Sequence, residues 1–502
     1  MTFDFAKYLL KSKFTEERGR FLSAILQSAR EGHLCFRSEE PSPLPPLPSI
    51  LQDKDRYYVQ KNWVYETHLL EHVQRLRQQP TPPFYDSSAF TREISQATGL
   101  SSEQKGVIQH LFDHTFSVIC GGPGTGKTYT AGCFIRLLSK AVDPKMGRRL
   151  RVAFTAPTGK AALHLQSSLR SVEGIYYEAA TLHHLLRLRP GQTDLTPKQR
   201  LDFDVIVVDE ASMIDVALLA HLLGVVGNHT KLIFMGDPNQ LPPVEGGGIF
   251  HEWGALFGKS LTQCMRTQEP RLQASAAAIL AGDAEAFFAS VDWTEGVDHL
   301  YEKIRPTFSS QPMDPKAFLD QSTQFRVLNA LRQGPFGTEA LNQEILRRME
   351  AECPEGWWWA VPILSTTNQP HLGLSNGSFG VLMGQKKKRF ELTRGVAYFA
   401  EHEGKSLPTL PPHELSFLLS IHKSQGSEFT EVLAIFPEGS ESFGKEVLYT
   451  AATRAKKRWE VVGKREVLES LLRKTTVRSS GFSVRWCADV PMSKIAKRVV
   501  YE

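Results

Sequence analysis

The chain has 502 residues, 41% hydrophobic and 23% charged, with 59 basic against 54 acidic residues for a net charge of +5. This balance excludes a disordered polyelectrolyte and leaves room for about two to four domains with full cores. Six scattered cysteines without a C-x-x-C pair suggest neither a zinc site nor a disulfide framework, which fits a reducing, cytoplasmic compartment. No signal-peptide pattern or long apolar span argues for a membrane.

Residues 1–95 read as a separate N-terminal helical module. Phe21, Leu22, Ile25 and Leu26 fall at helical spacing, and PSPLPPLP (41–48) is too proline-dense for helix or central strand. A second helix is expected from about Val59 to Arg77, with Trp63, Leu69, Leu70, Val73 and Leu76 as its apolar contacts, and PTPPF (80–84) ends it. The module is either a packing domain or a docking surface for another subunit.

SSEQKGVIQHLF (101–112) reads as an amphipathic helix. Gln104 stands before its apolar face, and a side-chain amide can pair with both edges of adenine. The apolar run Phe116 to Cys120 reads as a buried strand. Gly121, Gly122, Pro123, Gly124, Thr125 and Gly126 follow as a loop, then Lys127, Thr128 and a helical pattern. This is G-x-x-x-x-G-K-[ST] in its strand–loop–helix setting, which points to a nucleoside triphosphate. The glycines let backbone N–H groups approach phosphate, Lys127 reaches the outer phosphates, and Thr128 suits Mg²⁺.

RVAFTAPTGKAALHL (151–165) reads as strand, turn and helix start. Thr155, Thr158, Gly159 and Lys160 then lie at a carboxyl strand edge, where a nucleic-acid backbone can be met. The run Val205 to Val208 is a buried parallel strand ending in Asp209 and Glu210. Asp209 suits Mg²⁺ and Glu210 suits the attacking water. KLIFMGDPNQLPPV (231–244) offers Gln240, and LTQCMRTQ (261–268) offers Arg266, as groups that sense the γ-phosphate.

A second α/β unit is expected from about residue 271. FRVLNALR (325–332) and AVPILSTTN (360–368) read as its strands, and 375–399 as a small antiparallel β-module. Lys386 to Arg389 reads as a solvated basic edge. LSFLLSIHKSQGSEFTEVLAIF (415–436) alternates two strands with a polar loop, and KEVLYTAATRAKKRWEVVG (445–463) places Arg454 on a helix before a closing strand, Trp459 to Val462.

Taken in order, SVICGGPGTGKT, TAPTGKAA, VVDEASM, GDPNQLPPV, MRTQ, HKSQGSEF and LYTAATRAKK resemble the motif series of superfamily 1 helicases of the 5′→3′ class. Within that class, DEASMID and LNALRQGPFGTEALN are similar to the RecD family, the exodeoxyribonuclease V alpha subunits. The resemblance covers about residues 96–465. It implies an α/β chain with two RecA-like P-loop NTPase domains (96–270 and 271–502), ATP and Mg²⁺ between them, and a small SH3-like β-barrel insert near 376–415. By resemblance, Lys127, Glu210, Gln240, Arg266 and the arginine finger Arg454 are catalytic. Glu428 meets the ribose, and Thr155, Thr158, His422, Lys423, Ser424 and Gln425 lie near DNA. It also implies single-stranded DNA and duplex ends as substrates, RecB- and RecC-type partners docked through the N-terminal module, and a nuclease site on another chain. An NTP-dependent switch or loader, or a stand-alone helicase without a nuclease partner, are the alternatives.

Overall fold

A computed structural model of the chain describes residues 2–82, 84–142, 149–158, 175–188, 195, 199–243, 245–263, 269–296, 300–304, 307–476 and 478–488. It divides into two compact units, one of residues 1–238, 242–264 and 477–502, the other of residues 239–241 and 265–476.

The first unit is built on six parallel strands in the order Ile175–Thr181, Leu150–Ala156, Val205–Val208, Lys231–Gly236, Phe116–Gly121 and Gly258–Leu261. Successive side chains of a strand point to opposite faces, so each strand feeds two cores. Phe116, Val118, Ile206, Val208 and Phe234 enter one core; Ile119, Val152, Phe154, Val207 and Met235 enter the other. Lys231 begins a central strand fully buried, with Nζ donating to the carbonyls of Leu111, Phe112 and His114. It ties the carboxyl end of the helix Ser102–Asp113, where carbonyls lack intrahelical partners, to the sheet.

The first 95 residues are not set apart from this sheet. The helix Gln60–Arg77 lays Leu69, Leu70, Val73 and Leu76 into the same core as Phe116, Leu219 and Leu223. Its Arg75 donates to the carbonyls of Leu223 and Val226, at the end of the helix Val216–Val225. Only the helices Thr2–Leu10 and Glu16–Arg30 keep a small core of their own, in which Ala6, Leu10 and Leu22 meet Leu44 and Leu47 of the proline run. The segment is not purely helical either. Cys35–Arg37, Ile50–Asp53 and Arg56–Val59 form a three-stranded antiparallel sheet that the proline-rich sequence does not announce.

The chain's last described stretch also belongs to the first unit, not to the region 271–502 where the sequence reading places it. The helix Phe482–Cys487 sets Phe482 edge-on against Trp253 and Phe257. Fully buried Glu66 accepts from Tyr58, from the Gly481 backbone and from Arg485, itself almost fully buried. Burial drives the Glu66 pKa up, against the pull of Arg485.

The second unit has five parallel strands in the order Asp292–Thr294, Ala455–Val462, Phe429–Ile435, Phe325–Asn329 and Leu418–Ser420. Beside it lies an antiparallel sheet of Thr307–Ser309, Trp358–Ser365, Phe379–Gln385 and Val396–Phe399, with His413–Leu415 also on Trp358–Ser365. The strand expected from AVPILSTTN therefore joins the antiparallel sheet, not the parallel one. The β-module reaches beyond 376–415 because Trp358–Ser365 is its central strand. No pairing between its outer strands closes a barrel among the described residues.

Removing one partner of a buried ion pair leaves an uncompensated charge, which costs about 3–5 kcal/mol. Arg485→Met is expected to lower unfolding stability in urea by about that much. Adding Glu66→Gln is expected to recover most of the loss, which a double-mutant cycle measures.

Candidate active site

The strand Phe116–Gly121 ends in the glycine loop and opens into the helix Lys127–Lys140. Gly126 caps that helix at φ +84°, a left-handed conformation that glycine adopts without cost. A Cβ on Gly121 would come within 2.6 Å of Thr125 Oγ1 and 2.8 Å of the Leu261 carbonyl, so only glycine fits. The cradle is thus of the form that backbone N–H groups need to surround phosphate. Lys127 Nζ donates to the carbonyls of Gly121 at 2.7 Å and Gly122 at 3.0 Å. Thr128 stands half-buried at the start of the helix.

Asp209 and Glu210 follow the strand Val205–Val208. The Asp209 N–H donates to the Thr155 carbonyl, and Asp209 Oδ1 accepts from the Glu210 N–H at 2.9 Å. Glu210 is held at φ +50°, a region costly for a residue with a side chain and typical of functional sites. Burial, together with the neighbouring Glu210, pushes the Asp209 pKa up to about 7, while Lys127 pulls it down. A buried Asp209 beside Glu210, with Lys127 near, carries more negative than positive charge when both carboxyls are ionised, a donor set that suits a divalent cation.

Gln104 is the third residue of its helix, and its Oε1 accepts from the Ser101 N–H in a capping box. The carboxamide sits against the loop, with Nε2 3.3 Å from where a Gly126 Cβ would be. Its oxygen is therefore used by the helix cap, leaving the amide nitrogen on the loop side.

In the second unit, Arg454 lies past the end of the helix Lys445–Ala452 rather than on it. It is 3% exposed, with Nε donating to the Thr450 carbonyl, Nη1 to the Ser427 carbonyl and Nη2 to Thr453 Oγ1. Gln240 is buried in the three-residue stretch Asn239–Leu241, and its Oε1 has no hydrogen-bond partner among the described residues. Leu241 on one side of it donates to Thr450 Oγ1 and accepts from Gln425 Nε2. Thr450 therefore joins three expected functional positions, since its hydroxyl holds the Gln240 stretch, its carbonyl holds Arg454, and Gln425 closes the same network. Arg266, Gly159 and Lys160 lie outside the described residues.

The residues expected at DNA divide into two groups. Thr155 is fully buried, and its carbonyl serves Asp209; Ser424 is fully buried with its hydroxyl on the Ile421 carbonyl. Gln425 is buried on Leu241. These three are buried and offer no surface to a nucleic acid. Thr158, His422 and Lys423 reach solvent, with Lys423 paired to Glu414. Glu428 is half-buried beside Lys456. Sequence reasoning passes over Tyr129 and Phe336, large aromatics each 53% exposed. The available signal is position, since Tyr129 directly follows Thr128 and Phe336 stands on the loop after the strand Phe325–Asn329.

A complete phosphate loop at the carboxyl edge of a parallel sheet, beside a strand ending in two carboxylates, defines a P-loop nucleoside triphosphatase. Residues 104–246 match the AAA domain, and residues 415–462 match the UvrD-like helicase C-terminal domain. The RecBCD enzyme subunit RecD of Mycolicibacterium smegmatis is 31% identical over 483 residues, covering 88% of this chain and 85% of the relative. The ATP-dependent RecD2 DNA helicase of Deinococcus radiodurans is 29% identical over 442 residues, 85% of this chain and 58% of the relative. A Pif1 helicase from Bacteroides, solved with ADP-AlF3 and ssDNA, aligns over 80% of this chain and 98% of its own at 15% identity and a TM-score of 0.46. The chain belongs to the RecD family of helicases.

Thr450→Val keeps the shape but leaves the buried Leu241 N–H without its acceptor, at a cost of about 1–3 kcal/mol. The expected outcome is lower kcat for ATP hydrolysis with KM for ATP little changed, measured in steady-state kinetics. A rise in KM with kcat intact would contradict the assigned role.

Proposed function

We propose that this RecD-family chain is an ATP-dependent DNA helicase that moves 5′→3′ on single-stranded DNA as one motor of a RecBCD-type assembly. The observation that carries the reading is the intact loop lysine, Lys127, set beside the Asp209–Glu210 strand end. In this proposal, ATP draws Lys127 off the Gly121 and Gly122 carbonyls onto its outer phosphates. Thr128 and Asp209 hold Mg²⁺, which when bound neutralises charge on the phosphate oxygens. Glu210 orients the attacking water and takes its proton. Gln240, with an unfilled amide oxygen, reports on the γ-phosphate, and Arg454 supplies positive charge to the transition state. Gln104 meets adenine through its free amide nitrogen, and Glu428 meets the ribose.

The DNA path is proposed over the solvent-facing groups Thr158, His422 and Lys423. Phe336 adds a face for base stacking, which is sequence-tolerant and suits a translocating enzyme. Its loop is tied to the sheet by Asn329 Nδ2, which donates to the Phe336 carbonyl at 2.7 Å. RecB- and RecC-type chains are the proposed partners, with the helices of residues 1–30 as the proposed docking element and the antiparallel sheet as the proposed SH3-like insert. Among the described residues no helix is long and apolar enough to cross a membrane.

Wild-type protein is expected to hydrolyse ATP faster when single-stranded DNA is added, with strong salt dependence. Lys127→Ala is expected to abolish hydrolysis with or without DNA. Hydrolysis at the wild-type rate by Lys127→Ala would place the active site elsewhere.

A further inference from the structure

At the amino end of the strand Phe325–Asn329, in the second unit's parallel sheet, sits an arginine outside the set of residues assigned to the motor. Arg326 is the second residue of the strand Phe325–Asn329 and only 6% exposed. Its guanidinium lies 3.8 Å from the centre of the Phe379 ring and 5.9 Å from that of Phe429. Stacking of this kind covers a face of the planar cation and leaves its edge donors to be satisfied by something else. Among the described residues, Nε is buried with no hydrogen-bond partner, and no carboxylate forms an ion pair with the group. Burial alone, without an opposing acidic neighbour, pushes its pKa down to about 9, so it stays charged at neutral pH. An uncompensated buried charge is among the costliest features a fold can carry.

Arg326 lines a cavity of about 560 Å³. The walls beside it are apolar, from Phe318, Pro362 and Phe417, with amide groups from Gln321 and Gln324. The mouth carries Glu302, Glu431 and Glu460, of which Glu460 is paired to Lys303 and Arg458. Thr307 and Ser322 also line the cavity, so polar and apolar groups share the lining around the guanidinium. Lys303 lines the same mouth and offsets part of its negative charge, and one guanidinium edge matches one carboxylate through two parallel N–H donors.

We propose that this cavity binds a monocarboxylate on an apolar body, its carboxylate held in the plane of the Arg326 guanidinium. The same chemistry arrives either on a free organic acid or on the carboxyl terminus of a protein chain, and the probes separate the two. Titration calorimetry on the full chain uses hexanoate and benzoate for the first, and N-acetyl-phenylalanine against its amide for the second. Binding of hexanoate or benzoate at least as tight as that of N-acetyl-phenylalanine assigns a free acid. Tighter binding of N-acetyl-phenylalanine, lost in the amide, assigns a chain terminus. In either case Arg326→Met is expected to weaken binding at least tenfold, and Arg326→Lys, which keeps the charge but not the planar fork, to weaken it clearly as well. Without ligand, Arg326→Met is expected to melt at or above the wild-type temperature, because it removes an unpaired charge. No binding of any probe to the wild type, binding unchanged in both variants, or a ligand-free Arg326→Met that melts well below the wild type would each overturn the proposal.

Discussion

The Lys127 ammonium, folded onto the Gly121 and Gly122 carbonyls beside a desolvated Asp209, is the interaction around which the first unit is arranged. Each of these groups is delivered by the same physical device, a buried parallel strand that ends and leaves its last residues at one edge of the sheet. The strand Phe116–Gly121 supplies the loop and the strand Val205–Val208 supplies the carboxylates, with Lys231–Gly236 paired between them. Local charge is unbalanced toward the negative, and the lysine spends its hydrogen bonds on carbonyls that phosphate oxygens can replace.

In the second unit, Thr450 has a comparable role. It is fully buried and contacts the stretch that carries Gln240 through its hydroxyl, and Arg454 through its carbonyl. Gln425 completes the network on Leu241. A displacement of any one of these groups is therefore felt by the others through hydrogen bonds in a water-poor setting, where such bonds are strong.

The glycine loop, the acidic strand end and the two parallel sheets are legible in the sequence because they rest on local patterns, namely short apolar runs, glycines and motif spacing. What was not legible depends on distant partners. Trp358–Ser365 has the apolar content of a parallel core strand, yet its neighbours in space are antiparallel. Thr155 and Ser424 carry hydroxyls that suggest nucleic-acid contact, but both are fully buried. Gln104 reads as pairing with both edges of adenine, but the Ser101 cap claims its oxygen and leaves only the amide nitrogen on the loop side. The return of the chain's end to the first unit hangs on Glu66 and Arg485, residues far apart in sequence whose pairing no local pattern encodes. Arg454 leaves its helix because Thr453 ends it, a boundary that sequence periodicity places only loosely.

Hydrolysis at the Lys127 site is proposed to drive directed movement on single-stranded DNA. Strand displacement on duplexes carrying either a 5′ or a 3′ single-stranded tail, with ATP and Mg²⁺, tests this. The wild-type chain is expected to separate the 5′-tailed duplex and a chain lacking the loop lysine to separate neither. Separation of the 3′-tailed duplex alone would contradict the direction, and ATP hydrolysis with no separation of either, even with partner subunits present, would contradict the motor itself.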